Sequence, residues 1–557
     1  MSENIRALVY ILILSIPTFY VGRIVSADLV SRKEFAVWRN AWYASTIAVF
    51  LSGNFFVFAA ALAAICWYAR TGTSRLPLYI ILLFTTPPVA VTVGGFGLVH
   101  YLLLLNHAHV LSMLLLLPVL LSGHGGSAQR TSSGAYPSAA WTTPPSPEMR
   151  RSRLGNVCDI LVVAFVVLQT VLQYREAGTT HVIRTAVIHT LTIALPYFAF
   201  SRGVRSIDEV MKILLAFVIA VLPLALIGVF EVAKSWLLYP PVASSWGVPL
   251  IHAYITREGS LRATASAEGP IVFGYLVMVA IGCLIATSGE LFRTVKVRAA
   301  LAILAAGLVA SLSRGPWVGT AVLLLILVMI SPRRAANSFK LIGAGVLMAP
   351  VLFTPVGERA LRLLPFVGSV DVENVDYRKQ LLENSLLVIE RNLLFGSADY
   401  LSTPEMQEMV QGQGIIDVVN TFVQIALESG VVGLALFVLF FSCVLLGLAG
   451  LLKQEARPGL NLRAVLATLV AILVTIMTVS SISFIPYVYW IMAGLSIGLV
   501  RTAQVRRQPM DASASPTRPT GNLRIGMPMP PSRPRGLLSP ARTCVSDDDA
   551  RRASEAE

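Results

Sequence analysis

The sequence predicts an all-α, polytopic helical membrane protein with about 14 transmembrane helices and one large extracytoplasmic helical loop. Three observations carry this. The 557 residues are 55% hydrophobic and only 13% charged, with a mean hydropathy of +0.71, more apolar than a water-soluble chain of this length sustains. The apolar residues gather into runs of the length a helix needs to cross a hydrocarbon core, where a chain must pair its own backbone groups. The charged residues fall between those runs.

In chain order the runs occupy residues 7–25, 42–68, 76–93, 97–121, 157–174, 183–200, 213–236, 266–287, 298–312, 317–331, 341–355, 420–450, 464–481 and 485–500. The first follows Arg6 and reaches Val25 with no small-residue cleavage site after it, so a retained helix is expected rather than a removed signal. Lys and Arg concentrate in 122–156, 201–212, 289–298, 332–340 and 453–463, which the inside-positive bias assigns to the cytoplasm. On this count the N-terminus and the tail also lie inside. Segment 23–40, with Arg23, Arg32, Lys33 and Arg39 against Asp28 and Glu34, falls outside and breaks the rule. The net charge of +14 therefore reads as topology, with no nucleic-acid partner.

Residues 1–502 form the polytopic membrane domain, with an outer loop at 356–418 and a Gly-, Ser- and Pro-rich inner loop at 122–156. Residues 503–557 form a cytoplasmic tail. The compositions of the inner loop and the tail cannot bury a core, and disorder is expected of both. In the outer loop Tyr377, Leu381, Leu382, Ser385, Leu386 and Ile389 recur at helical spacing, with Arg378, Lys379, Glu383 and Glu390 on other faces. An amphipathic surface helix stopping by Gly396, then a short helix from Pro404 through Val410, fits this pattern.

The two outer segments, 237–265 and 357–418, hold arginines that the inside-positive bias does not explain. Arg314, in Ser311-Leu-Ser-Arg-Gly-Pro316, can bind phosphate bidentately or snorkel to headgroups. Arg262 is placed similarly, with Arg257 nearby; several guanidiniums at one face would make a diphosphate site. Asp417 stands before a long apolar run, next to Asn420, and is open to two readings, a base for a sugar hydroxyl or a helix N-cap. Of the seven histidines, His252 alone lies in an outer segment and is held as an acid/base candidate. No P-loop, GxGxxG turn or metal-ligand spacing occurs, and the five cysteines lie singly, so neither cofactor nor metal is expected.

Seven stretches, taken in order, resemble the membrane family of O-antigen ligases and O-antigen or exopolysaccharide polymerases. They are Leu261-Arg-Ala-Thr-Ala, Ser311-Leu-Ser-Arg-Gly-Pro-Trp317, Tyr377-Arg-Lys-Gln-Leu-Leu382, Asn392-Leu-Leu-Phe-Gly396, Asp417-Val-Val-Asn-Thr-Phe422, Glu428-Ser-Gly-Val-Val-Gly-Leu434 and Ile485-Pro-Tyr-Val-Tyr-Trp490. The resemblance implies a metal-independent, inverting glycosyltransferase acting outside the bacterial inner membrane on undecaprenyl-diphosphate-linked oligosaccharides. It assigns Arg262 and Arg314 to the donor diphosphate, with Arg378 as a third. Many members carry histidine immediately before the Asn of the loop-to-helix junction, where this chain has Val419. Asp417 is the nearest titratable replacement, with Arg257 and Asn420 as further substrate-binding candidates.

The Asp-x-x-Asn-Thr-Phe stretch resembles the polymerase side of the family more than the ligase side. Membrane lipid is an expected partner, and a polysaccharide chain-length regulator is one the tail leaves open. A lipid-linked oligosaccharide flippase is the alternative from another class. Glu231 and Arg184 come nearest to the buried charges that a transporter would use.

Overall fold

The computed structural model describes residues 3–95, 101–121, 153–175, 178–248, 254–257, 259–288, 295–331, 372–410, 416–453 and 460–505, all within one compact unit, Met1–Gln508. The expected run 341–355, most of the inner loop 122–156, the tail beyond Val505 and His252 lie outside the described residues.

The described backbone is overwhelmingly helical. In order it forms α1 (Glu3–Val25), α2 (Arg32–Leu51), α3 (Phe55–Ala69), α4 (Arg75–Leu83), strands β1 (Val91–Gly94) and β2 (Tyr101–Leu105), α5 (His107–Leu121), α6 (Arg153–Leu172), α7 (Thr179–Gly203) and α8 (Ile207–Lys234). There follow α9 (Pro240–Ser245), strands β3 (Thr256–Arg257) and β4 (Ser260–Leu261), α10 (Pro270–Ser288), α11 (Val295–Ala310), α12 (Arg314–Ile330), α13 (Val372–Arg391), α14 (Pro404–Gln407), α15 (Thr421–Leu452), α16 (Leu462–Ile476) and α17 (Ile485–Val505). Among the described residues six helices are long and apolar enough to cross a membrane, and shorter apolar helices, α3, α5, α12 and α16 among them, stand beside them.

Two expectations change. The run 42–68 is two helices, because Gly53 takes φ 57° and Asn54 caps α3 by accepting the Phe56 N–H at 2.8 Å. Hydropathy cannot register such a stop and restart; backbone chemistry can. The runs 76–93 and 97–121 are helical only in part. Thr85-Thr86-Pro87-Pro88 ends helical structure after α4, since proline lacks the N–H and restricts the residue before it. The chain then turns as the antiparallel β1–β2 hairpin, Val91 opposite Leu105, before α5 resumes.

α8 is the central mast, buried along nearly its whole length and packed against α1, α4, α10 and α11. Small residues let its neighbours approach closely. A Cβ at Gly307 would lie 2.7 Å from that of Ala225, and one at Gly228 would strike the Phe273 ring at 2.5 Å.

The ends of α8 fix which loops share a face. At its start, Lys212 Nζ pairs with Glu34 Oε2 at 2.8 Å, and Glu34 Oε1 accepts from Thr73, whose hydroxyl accepts from Trp38 Nε1. Beyond its far end, Trp236 receives the Arg6 guanidinium over its ring at 4.9 Å and Tyr10 edge-on at 5.6 Å. Segment 23–40 therefore lies at the Lys212 end of the bundle. The N-terminus lies at the other end, away from Arg501, which bonds the Gly155 carbonyl, Asp159 and Ser201. This corrects the expected placement of both: α1 runs opposite to the direction read from charge, and segment 23–40 joins the basic loops.

The described part of the expected outer loop folds as a cap. α13 buries Leu381, Ser385 and Val388 against Tyr400, Met406, Met409 and Val418, a small apolar cluster separate from the main core. Leu382 and Leu386, expected on its packing stripe, are exposed. α14 is shorter than the expected Pro404–Val410 helix, and Asn384 Nδ2 ties α13 to it through the Glu405 carbonyl at 2.7 Å.

Candidate functional site at one end of the bundle

Backbone conformation singles out one end of the molecule. Among the described residues the non-glycine positions with positive φ are Ser235, Ala265, Glu268, Leu312 and Ser483. Ser235 is an ordinary left-handed helix C-cap. The other four lie in three loops, 261–269, 311–313 and 477–484, that touch one another. Left-handed backbone costs a non-glycine residue on the order of 1–3 kcal/mol, and such strain collects where function over-determines the chain.

Loop 261–269 is held from inside the bundle. Glu231, fully buried in α8, accepts the Leu238 N–H at 3.0 Å through Oε1 and the Thr264 and Ala265 N–H groups at 3.0 and 2.9 Å through Oε2. Three backbone donors satisfy a carboxylate that would otherwise be very costly to bury. The loop also bonds Ala263 N–H to the Ala310 carbonyl at 3.1 Å. The expected transporter-like charges are thus both tethers. Arg184, the other one, lies over the Tyr101 ring and donates to the Leu102 carbonyl at 3.1 Å.

The arginines converge on the turn between α11 and α12. Arg262 donates from Nη2 to Ser313 Oγ at 2.8 Å and from Nε to the Ser311 carbonyl at 3.4 Å, while Arg257 Nη1 donates to the Leu312 carbonyl at 3.0 Å. Burial, with the Arg257 guanidinium beside it, pulls Arg262 down to about 10, so it remains charged at neutral pH. Arg314 is the first residue of α12, and its Nε is buried without a hydrogen-bond partner. Ser313 makes no side-chain cap to α12, leaving first-turn N–H groups for an anion. Arg378, on the cap helix, feels both Arg314 and Asp417; burial and the like charge of Arg314 lower its guanidinium, and Asp417 opposes them.

Asp417 accepts a hydrogen bond from the Ser480 hydroxyl, which also lies 2.9 Å from the Val418 carbonyl. It is not the helix cap. Asn420 is: its Oδ1 accepts the Phe422 and Val423 N–H groups at 2.9 and 3.3 Å. Val419 packs with the apolar cluster beneath the cap. The structure thus brings Arg257, Arg262 and Arg314 to one turn, places Arg378 within electrostatic reach of Arg314 and Asp417, and gives Asn420 a capping bond. Among the described residues no group of three or more His, Cys, Asp or Glu side chains is arranged to hold a metal ion.

Three features escape a reading of the sequence by runs. Ser480-Ser481-Ile482-Ser483 closes the site from a third side, since α16 ends at Ile476 and not at 481 as its hydropathy suggests. Its polar composition was the available signal. Gly315 packs against Thr478 in the same loop, where a Cβ would stand 2.9 Å from Oγ1. Glu268 shares loop 261–269 with Arg262, and the Ser483 hydroxyl lies between its carboxylate and the Ala267 carbonyl, 3.4 Å from the latter.

The cap is anchored by a backbone joint. α15 breaks at Gly430, with φ 64° and ψ −165°, which frees backbone groups inside an apolar helix. The 393–397 turn takes them up: Val431 and Val432 N–H donate to the Leu393 and Leu394 carbonyls at 2.8 and 3.2 Å, and Ser397 N–H donates to the Leu427 carbonyl at 2.8 Å. Gly396, at φ 67°, lies back to back with Gly430, and a Cβ on either would sit 2.4 Å from the other's strand of backbone. Arg175 closes the joint, donating to the Gly396 and Phe395 carbonyls at 2.8 and 3.0 Å.

Comparison with known proteins gives one family match. Residues 299–438 match the protein-family model described as O-antigen ligase, a span that contains Arg314, Arg378, Asp417 and both glycines of the joint, but not Arg257, Arg262 or Glu268. No curated protein matches the chain.

Proposed function

On the premise that the chain carries an O-antigen ligase family domain at residues 299–438, we propose that it is a polysaccharide polymerase of the bacterial inner membrane. It joins oligosaccharide repeat units carried on undecaprenyl diphosphate, at the periplasmic face, in exopolysaccharide or O-antigen synthesis. A hydroxyl of one lipid-linked unit attacks the anomeric carbon of the growing chain with inversion, and undecaprenyl diphosphate leaves.

The observation that supports this reading is the gathering of three guanidiniums at the Ser311–Arg314 turn, with that of Arg378 in electrostatic reach of Arg314, beside the uncapped start of α12. A diphosphate leaving group develops charge as its bond to carbon breaks, and fixed cations and N–H donors aimed at it lower that barrier without requiring a metal. Arg262 and Arg314 hold the diphosphate in this proposal, Arg257 supports Arg262, and Arg378 covers the site from the cap. Asp417, expected as the base, is engaged by Ser480 and faces Arg378, which suits a counter-charge that orients that guanidinium. Asn420 orders the start of α15 beneath the acceptor path.

The test is synthesis by the purified chain in proteoliposomes supplied with lipid-linked repeat units. Arg262→Ala and Arg314→Ala are expected to stop polymer formation and leave lipid-linked units to accumulate. Polymer of normal length from both variants overturns the diphosphate site. The description of the matched family favours a second reading, a ligase that delivers the glycan to lipid A-core. Offering lipid A-core and lipid-linked units as competing acceptors separates the two.

A further inference from the structure

The transferase reading needs a group to take the proton of the attacking hydroxyl, and the residue at the place where relatives carry histidine is Val419, an apolar side chain packed under the cap. We infer that Glu268 is that group.

Four observations converge on it. Glu268 lies on the same loop as Arg262, so the anchoring of Thr264 and Ala265 by buried Glu231 fixes both the diphosphate site and the carboxylate. Its backbone sits at φ 66°, a conformation glutamate adopts only under constraint, and the loops it touches carry the other strained residues, Leu312 and Ser483. Its side chain reaches solvent at the site end and takes no ion pair among the described residues, whereas Asp417 is held by Ser480 and faces Arg378. The Ser483 hydroxyl, which bonds the Ala267 carbonyl, stands beside it and favours its charged form. The surrounding protein also pushes its carboxyl upward, with Ser483 acting the other way, and a raised carboxyl is the better proton acceptor near neutrality.

In the step, the acceptor oxygen forms a bond to the anomeric carbon as the bond from that carbon to the diphosphate oxygen breaks. The electron pair of the broken bond leaves with the diphosphate, toward Arg262 and Arg314. The hydroxyl proton passes to the Glu268 carboxylate and from there to water. An inverting transfer places the proton acceptor on the face of the sugar opposite the leaving group. The assignment gives Glu268 that position.

Two variants test the assignment in the full-length, reconstituted protein. Glu268→Gln keeps the shape and removes basicity. Glu268→Gly removes the side chain and relieves the left-handed backbone, so the fold is retained or improved. Each is expected to lower transfer by about 10²–10⁴-fold, the usual contribution of a general base. Both are expected to retain the lipid-linked donor, measured as its co-purification with the protein. Added formate is expected to restore transfer to Glu268→Gly, since a small carboxylate can occupy the vacated position. Formate is expected to leave Arg314→Ala inactive. A full rate for Glu268→Gln, or no recovery of Glu268→Gly in formate, overturns the proposal. If Arg262→Ala and Arg314→Ala are inactive while Glu268→Gln is fully active, the diphosphate reading stands and the proton assignment alone falls. If the arginine variants are active, the diphosphate reading falls first.

Discussion

At the scale of the residue, Glu231 shows how a charge can be placed in an apolar interior for geometry. Its two oxygens accept three backbone N–H groups from two loops that no secondary structure joins. Removing the carboxylate leaves those donors buried and unpaired, at about 1–3 kcal/mol each. Glu231→Ala is therefore expected to lower the unfolding midpoint in detergent by well over that of a surface substitution. Glu231→Gln, which keeps one acceptor, is expected to fall between. A midpoint unchanged in Glu231→Ala contradicts the anchoring role. The arginines were legible in the sequence because they interrupt apolar runs at ends that the inside-positive bias leaves unexplained. Glu231 was legible as a buried charge but not as an anchor, since its partners are loop amides that carry no side-chain signature. Asp417 and Asn420 were harder still. Both types cap helices well, and which one does depends on where α15 begins; the structure gives the cap to Asn420 and leaves Asp417 to Ser480.

At the scale of the element, the joint between the 393–397 turn and the break in α15 unites two stretches that the sequence displays only as separate motifs, Asn392-Leu-Leu-Phe-Gly396 and Glu428-Ser-Gly-Val-Val-Gly-Leu434. The amphipathic cap helix was legible from its spacing. The joint was not, because its bonds run between main-chain atoms and only the two glycines mark it. Gly430→Ala is expected to be severe. Positive φ alone costs about 1–3 kcal/mol, and the added Cβ would meet the Leu394 carbonyl at 2.4 Å. Gly450→Ala, in the same helix with nothing within 4 Å of an added Cβ, is the matched comparison, while the Cβ at Gly430 meets backbone. Equal thermal stability and equal transfer in the two variants would show that the joint does not position the cap.

At the scale of the whole molecule, one missed helix break reverses everything before it. Read as a single crossing, the run 42–68 sends the basic segment 23–40 to the wrong end and leaves an exception to the inside-positive bias. As two helices, α2 and α3, it brings Arg23, Arg32, Lys33 and Arg39 to the end where Lys212 pairs with Glu34, and the exception disappears. The general class was plain in the composition. The direction of α1 rests on three residues, Ser52-Gly53-Asn54, whose effect is on backbone angles and not on hydropathy. Reporter fusions before residue 3 and after residue 505 are expected to lie on opposite sides of the membrane. Fusions that report the same side would contradict the ring contact of Arg6 with Trp236.

The glycine joint has one more consequence, for divergence. A coupling written in main-chain hydrogen bonds constrains φ at two positions and leaves the neighbouring side chains free, as the exposed Leu393, Leu394 and Phe395 illustrate. The sequence of the cap can therefore change without redesigning its mount. Under the transferase proposal, selection for altered glycan preference is expected to act on the cap and to spare Gly396 and Gly430.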